Sequence, residues 1–119
     1  MALVEVGACI FDAGQLGRSH GYEGLDPVGR EAFVNHLHLI ADNRVSAAER
    51  VIESWAAEMR SRWPGREFRI YRVAEDDEVT IRFHMVHPGQ PNWCEDGIEI
   101  FLVGGQETES GTISEQTRR

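Results

Sequence analysis

The chain has 119 residues, 41% hydrophobic and 27% charged, with a formal net charge of −8. These values describe one globular domain with a modest core and exclude a disordered chain. They also argue against nucleic-acid binding, which needs clustered cations, and no apolar run approaches the roughly 20 residues that span a bilayer.

All twelve basic residues are arginine, so every cation is a planar, bidentate donor for carboxylate or phosphate. The opening apolar stretch contains Glu5 and has no basic residue before it, unlike a secretory signal, so a cytoplasmic location is expected. Cys9 and Cys94 lack CxxC spacing and are expected to be reduced. Cys9 reads as strand packing. Cys94, beside Glu95, is not expected to be a reactive thiolate.

Residues 2–11 are apolar and β-branched and predict a strand with a bulge at Gly7. Residues 12–30 hold five glycines and Pro27, which is too punctuated for regular structure and predicts a long functional loop. Asp26-Pro27 could cap a helix, but residues 32–40 leave no polar helical face. Their alternation, with His36 and His38 on one side and Leu37 and Leu39 on the other, predicts a strand after one helical turn at most.

The next signal is the clearest. Ser46-Ala-Ala-Glu49 has the pattern of a capping box. Ala48, Val51, Ile52, Trp55 and Met59 then form one apolar stripe. Glu58 and Arg62 are an i,i+4 pair, and Pro64-Gly65 ends the helix. Three strands follow: Phe68 and Ile70 alternate with Arg69 and Tyr71, Ile81 and Phe83 with Arg82 and His84, and Ile98, Ile100 and Leu102 with Glu99 and Phe101. Glu75-Asp76-Asp77-Glu78 forms the intervening turn, and 88–97 a Pro-containing loop.

The resulting order, β-β-α-β-β-β, predicts an α+β fold: an antiparallel or mixed sheet of about five strands with one long helix on one face. Residues 1–104 form the domain, and the polar tail 105–119 is predicted to be disordered.

Strand alternation assigns His36, His38, Arg69, Tyr71, Arg82, His84, Glu99 and Phe101 to the face away from the helix. Three chemistries suit such a face. His36, His38 and His84 could supply three nitrogens to a metal, although Arg69 and Arg82 would repel it. Arg69, Tyr71, Arg82 and His84 could hold an anion, with Phe101 as a stacking surface and Arg18, Ser19 and His20 on a lid. Arg, Tyr, His and Phe on an open sheet also match the composition of docking hot spots, with Trp93 as an anchor. Solvated cross-strand pairs are the plain alternative. With no nucleophile elbow, P-loop or dinucleotide fingerprint, no enzymatic motif is assigned. The expected function is a small acidic, non-catalytic binding protein without a cofactor. It would dock on another protein or on itself, as an inhibitor or immunity-type partner of a basic protein does. The alternative is an anionic-ligand or metal-binding protein, possible enzymatic activity included, that uses the His/Arg face.

Overall fold

The computed structural model describes residues 2–104 and the backbone of 114–117. The fold is α+β. Its elements are β1 (Leu3–Val6), β2 (Cys9–Asp12), α1 (Ala13–Leu16), α2 (Pro27–Val34), β3 (His36–Leu39), α3 (Arg44–Arg62), β4 (Glu67–Ala74), β5 (Val79–Met85), β6 (Glu99–Gly104) and β7 (Ser114–Thr117). β1 and β2 form a two-stranded antiparallel sheet. The other strands form an antiparallel sheet ordered β3-β5-β4-β6-β7. Among the described residues, no helix is long and apolar enough to cross a membrane.

The apolar stripe of α3 forms the core. Ala48, Ile52, Trp55, Ala56 and Met59 are buried against Phe68, Ile70, Ile81, Phe83, Phe101 and Val103 of the large sheet. Trp55 meets Phe83 edge-on with centroids 4.7 Å apart. The helix begins at Arg44, two residues before the expected cap. Ser46 Oγ instead donates to the Asn43 carbonyl, so the capping box is not formed. Arg62 Nη1 and Glu58 Oε2 make the expected i,i+4 pair at 2.7 Å.

Four sequence expectations are corrected. Residues 2–11 are a hairpin, because Gly7 adopts φ 62° and turns the chain where a bulge was expected; glycine tolerates that region where other residues are strained. Residues 12–30 are not one loop: Asp12 caps α1, and Asp26 caps α2 by accepting from Gly29 N–H at 2.7 Å, with Pro27 in the first turn. The segment 32–40 divides at Asn35, with helix before it and strand after. In the tail, Ser114–Thr117 pairs with β6 as β7, whereas residues 105–113 and 118–119 lie outside the described residues.

The β1–β2 hairpin meets the large sheet through side chains. Buried Glu31 accepts from the backbone N–H of Ile10 on β2 and from that of Met85 on β5 at 3.0 Å. One helical turn later, Asn35 accepts from Asp12 N–H at 2.8 Å and donates to the Ile10 carbonyl at 2.9 Å, while its own carbonyl accepts from Phe83 N–H. Residues 31 and 35 thus supply the partners that an inserted strand would have supplied, and buried backbone groups require such partners.

Candidate functional site

Cross-strand register determines which predicted residues converge. Arg69 faces His84, Tyr71 faces Arg82, and His36 faces Arg82. All lie on the sheet face away from α3, joined by His38. Phe101 does not. It pairs with Ile70 on the helix side, and Glu99 pairs with Arg72 there, with bonds of 2.6 and 2.9 Å. The alternation misled because β6 is apolar on both faces: Ile100, opposite Tyr71, is as buried as Phe101 and Val103.

The cover over this face is the loop 86–98, not the segment around Arg18, Ser19 and His20; Arg18 and Ser19 bond locally to Gln15. Gly97, at φ 91°, turns the loop back into β6. The loop docks through its backbone. Arg69 Nη2 donates to the Cys94 carbonyl at 3.1 Å, the Tyr71 hydroxyl lies 3.3 Å from the same oxygen, and Trp93 N–H donates to His84 Nε2 at 3.3 Å. The Tyr71 ring meets Trp93 edge-on at 5.0 Å.

His84 is fully buried. Its Nε2 faces the Tyr71 hydroxyl at 2.8 Å and the Trp93 N–H, so the ring proton resides on Nδ1, which donates to the Met85 carbonyl at 2.9 Å. Burial is the main reason its pKa falls to about 4, with Arg69 and His87 opposing charge further. Burial likewise pushes the Tyr71 phenol up and Arg82 down from their ordinary values.

What remains at the surface is a smaller patch. Arg82 stacks on the Trp93 ring at 4.3 Å and donates to the Ala32 carbonyl at 2.9 Å. Trp93 and Phe33 remain about 41% and 42% exposed. Phe33 packs beside His36, and His36 meets His38 at 5.0 Å. At the hairpin end of the patch His38 contacts Glu78. At the other end Glu95 lies 3.7 Å from Arg69.

The proposed ligand set His36, His38 and His84 is not assembled. Both His84 nitrogens face protein groups, His36 Nδ1 contacts the Phe33 carbonyl, and His38 Nδ1 contacts Glu78. Among the described residues, the one His/Cys/Asp/Glu group spaced for a metal is Cys9, Glu31 and His87. Sequence reasoning missed it. The three residues come from β2, α2 and the turn after β5, and no spacing pattern connects them. Burial pushes both the Cys9 thiol and the Glu31 carboxyl up.

Comparison with family models, with curated proteins and with solved structures found no match.

Proposed function

We propose that this is a small acidic, non-catalytic binding protein that docks on a basic protein through the patch of Phe33, His36, His38, Arg82 and Trp93. The observation that carries the reading is the docked loop 86–98. Arg69, Tyr71 and His84, the donors and acceptor that an open anion pocket would use, already bond to its backbone. Left outside is an aromatic and arginine centre with Glu78 and Glu95 at its two ends. That arrangement, an apolar centre inside a charged rim, is the anatomy of a docking surface. The net charge of −8 favours a basic partner and speeds the encounter with it. The role resembles that of an inhibitor or immunity-type protein.

A photoreactive residue in place of Trp93, with one in place of exposed Arg50 as a control, tests the reading in extracts of the producing cells. Position 93 is expected to yield a salt-sensitive adduct with a basic protein that position 50 does not. Equal adducts at both positions, or adducts with acidic proteins only, would overturn it.

An anionic small ligand is a second reading, favoured by one observation. A cavity of about 210 Å³ is lined by Glu67, Arg69, Asn92 and Leu102. Among the described residues, the buried Arg69 Nε and Asn92 Oδ1 find no hydrogen-bond partner. Stabilisation by carboxylates or phosphates in a thermal-shift series, absent in Arg69→Lys, would favour this reading over docking.

A further inference from the structure

Away from the docking patch, three side chains with metal-binding atoms meet in the interior. Cys9 Sγ, a Glu31 carboxylate oxygen and a His87 ring nitrogen all lie within 4.8 Å of one another. All three residues are buried, at 3%, 0% and 8% exposure. Each is fixed by a different part of the fold. Cys9 begins β2, with its thiol over the Pro27 carbonyl at 4.0 Å. Glu31 is locked by the amides of Ile10 and Met85. His87 is positioned by a turn in which Gln90 N–H donates to its carbonyl, and its Nε2 lies 2.7 Å from Glu31 Oε1.

The geometry points to a zinc site formed by Cys9, Glu31 and His87, with one coordination position left for water or an external ligand. One thiolate, one imidazole and one carboxylate form a donor set typical of zinc, and three protein ligands leave its fourth tetrahedral position open. Ligand atoms bound to zinc at about 2.0–2.3 Å lie somewhat over 3 Å apart, so the cluster needs only a small adjustment around the ion. Charge supports the same conclusion. Isolated ionised groups are costly to bury, and among the described residues Glu31 pairs with His87 and with no arginine, Arg30 standing instead beside the Cys9 thiol. A thiolate and a carboxylate around a dication sum to zero. The amide donors from Ile10 and Met85 take the place of the outer-shell hydrogen bonds that orient ligating carboxylates.

His87 also lines a surface cavity of about 330 Å³ with Arg66, Glu67, Met85 and Pro88, which gives an ion a route to the imidazole. On binding, the thiol proton and any proton on the coordinating nitrogen pass to solvent, and no electrons are transferred.

Cobalt(II) and zinc(II) titrations of the metal-stripped full chain test the site. One equivalent of cobalt(II) is expected to produce a thiolate-to-cobalt charge-transfer band, which zinc(II) abolishes by displacement. The band should persist in Cys94→Ser and vanish in Cys9→Ser, and His87→Gln should weaken zinc affinity at least about tenfold. If Cys9→Ser does not fold, the Cys94→Ser spectrum still assigns the band, since the chain has two cysteines. No charge-transfer band in the wild-type protein, or a band lost in Cys94→Ser, would overturn the site.

Discussion

Trp55 Nε1 donates to Asp12 Oδ2 at 3.1 Å in the protein interior. The largest core side chain of α3 therefore also anchors the carboxylate that ends β2 and caps α1. Replacing Trp55 with Ala is expected to cost about 3–5 kcal/mol, as large-to-small aromatic changes in cores do. Trp55→Phe keeps most of the packing but leaves Asp12 Oδ2 without its donor, for a cost of about 1–3 kcal/mol. Urea unfolding separates the two effects. A cost under about 1 kcal/mol for Trp55→Ala would contradict the assigned core.

His84 should make stability depend on pH. Its folded pKa of about 4 lies below the ordinary 6.5, so between these values the unfolded chain binds the proton and the folded chain does not. The stability that neutral His84 provides is complete above about pH 6.5 and is lost as pH falls toward 4. It amounts to about 3 kcal/mol at the acid end. Unfolding curves at pH 7 and pH 4.5 should show a smaller acid loss for His84→Gln than for the wild type. Parallel pH profiles would mean that the imidazole is not held neutral. The same burial predicts that His84→Ala destabilises the fold, because it leaves the Tyr71 hydroxyl and the Trp93 amide without their shared acceptor.

Glu31→Ala should be among the costliest single changes. It leaves two buried backbone donors, Ile10 N–H and Met85 N–H, without acceptors, at about 1–3 kcal/mol each. Amide hydrogen exchange provides the specific check: Ile10 and Met85 should lose protection by a larger factor than Ile70 in the sheet centre. Uniform loss at all three would indicate general destabilisation instead.

Ending the chain at Gly104 removes β7 and leaves one edge of β6 without a neighbour. Melting temperature should fall, and self-association should rise with concentration, because an unpaired strand edge is a template for intermolecular pairing. A shortened chain with unchanged melting and unchanged self-association would show that β7 adds nothing to the stability of the sheet.

The parts of the fold visible in sequence are those that repeat a simple period against a polar background. The stripe through Ala48, Ile52, Trp55 and Met59 shows the helix, and the alternation of Arg69, Tyr71, Arg82 and His84 with Phe68, Ile70, Ile81 and Phe83 shows the β4–β5 hairpin. The face of β6 was not visible because Ile100 and Phe101 are both apolar and both covered. Apart from the Trp93 ring, loop docking left no trace either, since it uses the Cys94 carbonyl and the Trp93 amide, backbone groups that carry no sequence signal. The buried Glu31 was hidden for a related reason. A glutamate between Arg30 and Ala32 on a short helix reads as surface, and only the two strand ends that it bonds explain its burial.

The hairpin's side-chain attachment also sets an order of events during folding. Leu3 N–H donates to Glu58, Trp63 donates to Glu5 at 3.1 Å, and Glu31 waits for Met85, 54 positions further along. β1 and β2 can pair with each other at once and meet Glu31 and Asn35 within 25 positions, but the bonds to Glu58 and Trp63 that complete their docking span 55 and 58 positions. Such long-range closure is slow, and chains pausing before it expose apolar surface. Newly made chains halted before β5 emerges should therefore present Leu3 and Ile10 to solvent, a window in which a chaperone could bind them.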